Sequence, residues 1–301
     1  MKTYEENGPA LQAAFSRLET RVASLPPHLR EQGAAFLTWA GPGYFTQADA
    51  APLLHLPLWM PQPVAPEVMA DVLDATALAY AYVRIQDNVI DEPGTRGNPP
   101  MLLVGNALLW DAMALWHRHT EGRFAQEARR AWVEFSEQTE AERRQLLRTD
   151  GYSAADFEAH ARKCALAELP LYAVMSASGD WTGAAAVRPL VHGLARSYGC
   201  VNDVLGWERD LSSGANTYLL SAARALAGPS GLAGEVRRAL LFSPLLETML
   251  AEAERALEDC RAPAAELRLR EFDRFLEERG ARLRALTIRV SLVRLAAVTA
   301  S

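Results

Sequence analysis

Apolar residues recur along this chain at three- and four-residue spacing, and long Val/Ile/Thr alternations bounded by turns are missing. The pattern predicts α-helix throughout and an all-α fold. Proline and glycine clusters punctuate it at Leu25-Pro-Pro27, Ala40-Gly-Pro-Gly43, the run from Pro57 to Pro66, Glu92-Pro-Gly94, Asn98-Pro-Pro100, Gly179, Gly214 and Gly228-Pro-Ser-Gly231. Between them, helices are expected near 8 to 24, 27 to 39, 66 to 92, 100 to 120, 122 to 148, 153 to 178, 183 to 212, 232 to 259 and 263 to 299. Long helices on short loops, with no fixed-period repeat, predict one helical bundle over 1–301, in which residues 1–65 form an N-terminal helical cap on the bundle of 66–301.

Composition narrows the partners. The chain has 301 residues, half of them hydrophobic, so it can bury a large core. Its 37 acidic residues outnumber 31 basic ones, which argues against a nucleic-acid partner. Cys164, Cys200 and Cys260 are odd in number and lack CxxC spacing, so neither a disulfide framework nor a zinc site is expected. The six histidines form no ligand set. No signal-peptide core and no membrane-length apolar stretch is present, and a cytoplasmic location is the expectation.

Two stretches carry candidate chemistry. In Tyr80-Ala-Tyr-Val-Arg-Ile-Gln-Asp-Asn-Val-Ile-Asp-Glu92, Asp87 and Asp91 are four residues apart on one helical face. Taken alone, such a pair is most simply a solvated helix end. Here it continues the almost wholly apolar stretch VMADVLDATALAYAYV, and like charges continuing a buried helix need a counter-charge. Mg²⁺ suits that role, because it takes oxygen ligands and is usually held by one or two carboxylates plus substrate phosphates. In Asn202-Asp-Val-Leu-Gly-Trp-Glu-Arg-Asp210, Asn202, Gly206 and Asp210 stack at i, i+4 and i+8, giving a neutral oxygen, an open space and a charged oxygen. The plain alternative is a helix whose Asp203, Glu208, Arg209 and Asp210 face water. A glycine inside a helix costs about 1 kcal/mol relative to alanine and asks for a reason. Two such faces suggest one shared metal–diphosphate site.

These residues resemble the class I isoprenoid synthase superfamily, over roughly residues 66 to 222. Asp87-Asn-Val-Ile-Asp91, followed by Arg96-Gly-Asn-Pro99 and Gly105-Asn-Ala-Leu-Leu109, is similar to the first aspartate-rich motif of trans-prenyltransferases and its downstream signatures. Asn202, Gly206 and Asp210 are similar to the Asn/Ser/Glu metal motif of terpene synthases, and Arg84, Gly214 and Tyr218-Leu219 to features of squalene and phytoene synthases. Asn88 replaces the second aspartate of the first motif. No Gly-Lys-Arg-x-Arg-Pro segment for isopentenyl diphosphate occurs in residues 1 to 65, and Gly206 stands where coupling enzymes carry an aspartate.

The resemblance implies the helical-bundle fold of isoprenoid synthases and a class I terpene synthase. Such an enzyme ionises a linear C10–C20 prenyl diphosphate, releases diphosphate and cyclises or rearranges the carbocation. Three Mg²⁺ ions per site are implied, with Mn²⁺ able to substitute, held by Asp87, Asp91, Asn202, Gly206 and Asp210. Lys163, Arg96 and Arg209 are the candidate diphosphate-binding residues, with Arg289 and Arg294 weaker. Tyr82, Tyr80, Tyr172 and Tyr198 are candidate pocket-lining residues, Tyr82 first among them. A homodimer is compatible with the resemblance. The alternatives are a prenyltransferase coupling two prenyl diphosphates, and a non-catalytic homologue that only binds them.

Overall fold

A computed structural model describes residues 8–41, 52–91, 97–146, 151–228 and 231–299. Among these residues there is no strand, and fourteen α-helices follow one another. They are α1 (Gly8–Ser24), α2 (Pro27–Ala40), α3 (Pro52–Trp59), α4 (Pro66–Asp91), α5 (Pro99–His117), α6 (Gly122–Leu146), α7 (Ala154–Ala161), α8 (Leu169–Ser178), α9 (Ala184–Ser213), α10 (Tyr218–Ala227), α11 (Ala233–Phe242), α12 (Leu245–Asp259), α13 (Arg261–Glu266) and α14 (Phe272–Thr299). The all-α expectation therefore holds.

Prolines account for most departures from the expected helix bounds. The segment expected over 153–178 is interrupted by a 3₁₀ stretch at Arg162–Glu168, ahead of Pro170 in the first turn of α8. A proline ring clashes with the carbonyl four residues back, which for Pro170 is Leu166 in the 3₁₀ stretch, and a proline disfavours the α region for its predecessor. Ser243, before Pro244, is extended (φ −110°, ψ 167°) and divides the helix expected over 232–259. In the last segment the break between α13 and α14 contains Arg268 at φ 54°. Helices α3 and α10 were not anticipated.

The chain divides into two compact units. Met1–Arg129, Ala167–Ala184 and Leu267–Glu271 make up one unit; Arg130–Leu166, Ala185–Glu266 and Phe272–Ser301 make up the other. In the first, α4 is the central helix and packs against α1, α3, α5 and α8. Gly105 of α5 permits a close approach to α4: a Cβ there would lie 3.2 Å from the Tyr82 ring and 3.4 Å from Ile85. Asn98 caps α5, its side chain accepting from the Met101 N–H at 3.1 Å and donating to Gln32 of α2 at 2.9 Å.

In the second unit, α10 to α14 pack on one another. Helix α9 meets α12 at Gly193, where a Cβ would come within 2.6 Å of the Cys260 sulfur. Cys260 and Cys200 are fully buried, and burial pushes both thiols up to about 12, so they act as core residues. Among the described residues no helix is long and apolar enough to cross a membrane.

Candidate metal and diphosphate site

The first motif occupies the last turns of α4. Asp87 is paired with Arg84, one turn earlier, at 2.7 Å. Asn88 faces inward at 4% exposure, and its amide nitrogen has no hydrogen-bond partner among the described residues. Asp91 is the last residue of the helix; its side chain, and the whole of Arg96, lie outside the described residues. Gly97 returns against this turn so closely that a Cβ would sit 2.3 Å from the Asn88 carbonyl oxygen. No other residue fits there, which gives the glycine of the Arg-Gly signature a steric reason.

The tyrosines occupy distinct environments. Tyr80 lies seven residues before Asp87, on the same face of α4 and half-buried. Tyr82 points to the other side of the helix and packs on Gly105; burial pushes its phenol up to about 12. Tyr172 is buried and stacks on Trp181 at 5.9 Å, with the Arg123 guanidinium over the far ring at 4.2 Å. In the second unit, Tyr198 lies one turn before Asn202, and Arg279 sits 4.2 Å over its ring. Arg279 is a buried cation that the sequence did not single out.

The second motif occupies the last turns of α9. Asn202 is exposed, while Asp210 retains only 14% side-chain exposure and accepts from the Arg209 Nε at 2.9 Å. Gly206 brings no side chain; a Cβ there would lie 2.8 Å from the Arg209 guanidinium and 3.0 Å from an Asp210 carboxylate oxygen. The glycine thus opens the space in which this carboxylate lies. The helix ends on Gly214 (φ +75°), with Gly214 N–H donating to Leu211 at 3.3 Å and Ala215 N–H to Asp210 at 2.9 Å, a Schellman closure.

The water-facing reading of this segment holds for Glu208 and Arg209 and fails for Asp203. Asp203 accepts the Leu219 N–H at 3.1 Å. Burial pushes it up to about 6, against the pull of the Leu219 and Thr217 hydrogen bonds and with the Asp210 charge adding to the rise. Lys163, on the 3₁₀ stretch, is paired with Glu142, and Glu142 is also 3.5 Å from His160. Arg289 and Arg294 line an apolar groove of about 260 Å³ with Val204 and Trp207, on the side of α9 away from Gly206, and Arg294 pairs with Glu247 at 2.7 Å.

Asp91 and Asp210 each stand in the final turn of a helix that has no basic residue in that turn. The negative end of the helix dipole disfavours anions at that position by about 0.3–1 kcal/mol. An oxygen-only donor set in such a field fits a hard divalent cation.

No family model and no curated protein matches the chain. Solved structures do. A polyprenyl synthase from Caulobacter crescentus, complexed with calcium and isoprenyl diphosphate, superposes with a TM-score of 0.71 at 17% identity, covering 89% of this chain and 94% of that one. A heptaprenyl diphosphate synthase from Staphylococcus aureus gives 0.71 at 14% identity over 94% and 96%. A geranylgeranyl pyrophosphate synthase from Lactobacillus brevis gives 0.61 at 14% over 91% and 98%. The chain has the fold of the class I isoprenoid synthases.

Proposed function

We propose, with the class I isoprenoid synthase fold as premise, that the chain takes a linear prenyl diphosphate and transfers its prenyl group with release of diphosphate. The observation that carries this reading is the pair of acidic helix ends, with Asp91 and Asp210 in final turns where the helix dipole opposes a negative charge. Asp87, Asp91, Asn202 and Asp210 would hold Mg²⁺, which when bound neutralises the charge that develops on diphosphate as the C–O bond breaks. Arg84 and Arg209 lie beside these carboxylates and Lys163 beside Glu142, so each can turn from its acid to a phosphate oxygen. Tyr80, on the Asp87 face of α4, offers an aromatic face to a carbocation, worth about 1–2 kcal/mol where water is excluded.

Coupling of two prenyl units is the form the comparisons favour, since the similar solved structures are prenyl diphosphate synthases matched over nearly their full length. A second reading, ionisation and rearrangement of one prenyl diphosphate, rests on Gly206, where coupling enzymes carry a carboxylate.

The test is diphosphate release with geranyl, farnesyl and geranylgeranyl diphosphates and Mg²⁺, each alone and each with isopentenyl diphosphate, followed by mass spectrometry of the extracts. Release that requires both partners and yields a joined product is expected. Release from one substrate with a cyclic product moves the assignment to the second reading, and no release from any combination refutes both.

A further inference from the structure

Asp203 has no place in the donor set just assigned, and the structure gives it other work. Thr217 is the N-cap of α10 and its hydroxyl oxygen accepts the Leu220 N–H at 3.3 Å. Asp203 of α9, sixteen residues before Leu219, accepts the Leu219 N–H at 3.1 Å, and the Thr217 hydroxyl beside it favours its charged form. Two helices therefore share one cap. Two first-turn donors of α10, left unpaired by helix geometry, are satisfied by its own threonine and by the carboxylate of its neighbour, at the positive end of its dipole.

The connection between the two helices is closed as well. The Schellman turn ends α9, and Arg224 of α10 donates to the Asn216 side chain at 2.9 Å and to the Ala215 carbonyl at 3.1 Å. Tyr152 adds a further tie, its N–H donating to Ser221 of α10 at 2.7 Å. The last turns of α9, with Asn202, Gly206 and Asp210, and the first turn of α10 are thus joined as one piece.

We propose that Asp203 is a positioning residue for the second motif: by capping α10 from α9, it fixes the rotation of the helical turns on which Asn202 and Asp210 present their oxygens to a divalent cation. The inference rests on the metal–diphosphate reading. Burying a carboxylate is costly unless it is fully hydrogen-bonded, and a helix cap alone can be made by Thr217. The added constraint falls on the turn carrying Asn202. Changing residues that orient metal ligands commonly lowers metal affinity or activity about 10–100-fold.

The test compares wild type, Asp203→Ala, Asp203→Asn and Thr217→Val by Mn²⁺ binding in the presence of pyrophosphate, read from the free-Mn²⁺ paramagnetic signal, and by the Mg²⁺ concentration giving half-maximal diphosphate release. Asp203→Ala is expected to raise both by about 10-fold or more, with turnover at saturating Mg²⁺ largely kept. Asp203→Asn, whose amide oxygen can still accept the Leu219 N–H, should stay within about threefold. Thr217→Val keeps the carboxylate and removes one of its donors. It should fall between them, and it carries the test if Asp203→Ala does not fold by circular dichroism. Unchanged metal affinity in both Asp203→Ala and Thr217→Val, or an Asp203→Asn variant as impaired as Asp203→Ala, overturns the inference. A wild-type chain that binds no Mn²⁺ with pyrophosphate overturns the function reading instead.

Discussion

The two acidic helix ends carry side-chain oxygens proposed for the same cation and are held by different forces. The end of α4 is fixed by volume. Its helix is wedged among α1, α3, α5 and α8, Gly105 admits Tyr82 and Ile85, and Gly97 lies directly on the Asn88–Val89 backbone. The end of α9 is fixed by hydrogen bonds: a Schellman turn, a shared cap through Asp203, and Arg224 on the following loop. A site held by packing tolerates changes of polarity and fails on changes of size. One held by hydrogen bonds does the reverse.

The largest effect should come from the ligands, where the two ends behave alike. Asp87→Ala and Asn202→Ala should each lower turnover by about 10²-fold or more, because several kcal/mol of charge stabilisation depend on the bound cation. Melting temperatures should stay close to wild type, which differential scanning calorimetry checks. The packing contrast is next. Gly105→Val should destabilise the protein by about 1–3 kcal/mol through overpacking against Tyr82 and Ile85, measured by urea unfolding.

A pH effect belongs to the polar side of the comparison. In the N-terminal half of α9, burial and the neighbouring Arg188 hold His192 down at about 4, although Glu134 pulls the other way. With its folded value below the ordinary one, the unfolded chain takes up the proton first, so this contribution to stability is full above about pH 6.5 and is lost as pH falls towards 4. His192→Gln should flatten that slope in unfolding experiments at pH 7 and pH 5. The smallest effect on stability is expected at Asp210. Asp210→Asn relieves both the helix dipole and the charge of Asp203, so stability should hold or rise by up to about 1 kcal/mol while activity falls.

Much of the scaffold was legible in the sequence because helix periodicity and helix-stopping residues are local. The bounds of α1, α4 and α9 lie within one residue of expectation. Prolines were harder to read: Pro170 and Pro244 break periodic stretches that look continuous, while α3 forms within a proline-rich run because Pro52 sits at its start and Pro57 near its end. In the site, the stacking of Asn202, Gly206 and Asp210 could be read from spacing alone, and so could the face shared by Asp87 and Tyr80. The partners of Asp203 and Lys163 could not, since Leu219 lies 16 residues away and Glu142 lies 21 residues away, with nothing local to link them. Tyr82, first among the candidate pocket-lining residues, is turned by the helical angle towards Gly105 and away from the Asp87 face.

The most direct test of the two acidic helix ends as cation sites is calorimetric titration of pyrophosphate into the wild-type protein with and without Mg²⁺, repeated for Asp87→Ala and Asp210→Ala. Binding that needs Mg²⁺ and is lost in both variants is expected. Pyrophosphate binding that survives removal of the metal, or that neither substitution weakens, would contradict it.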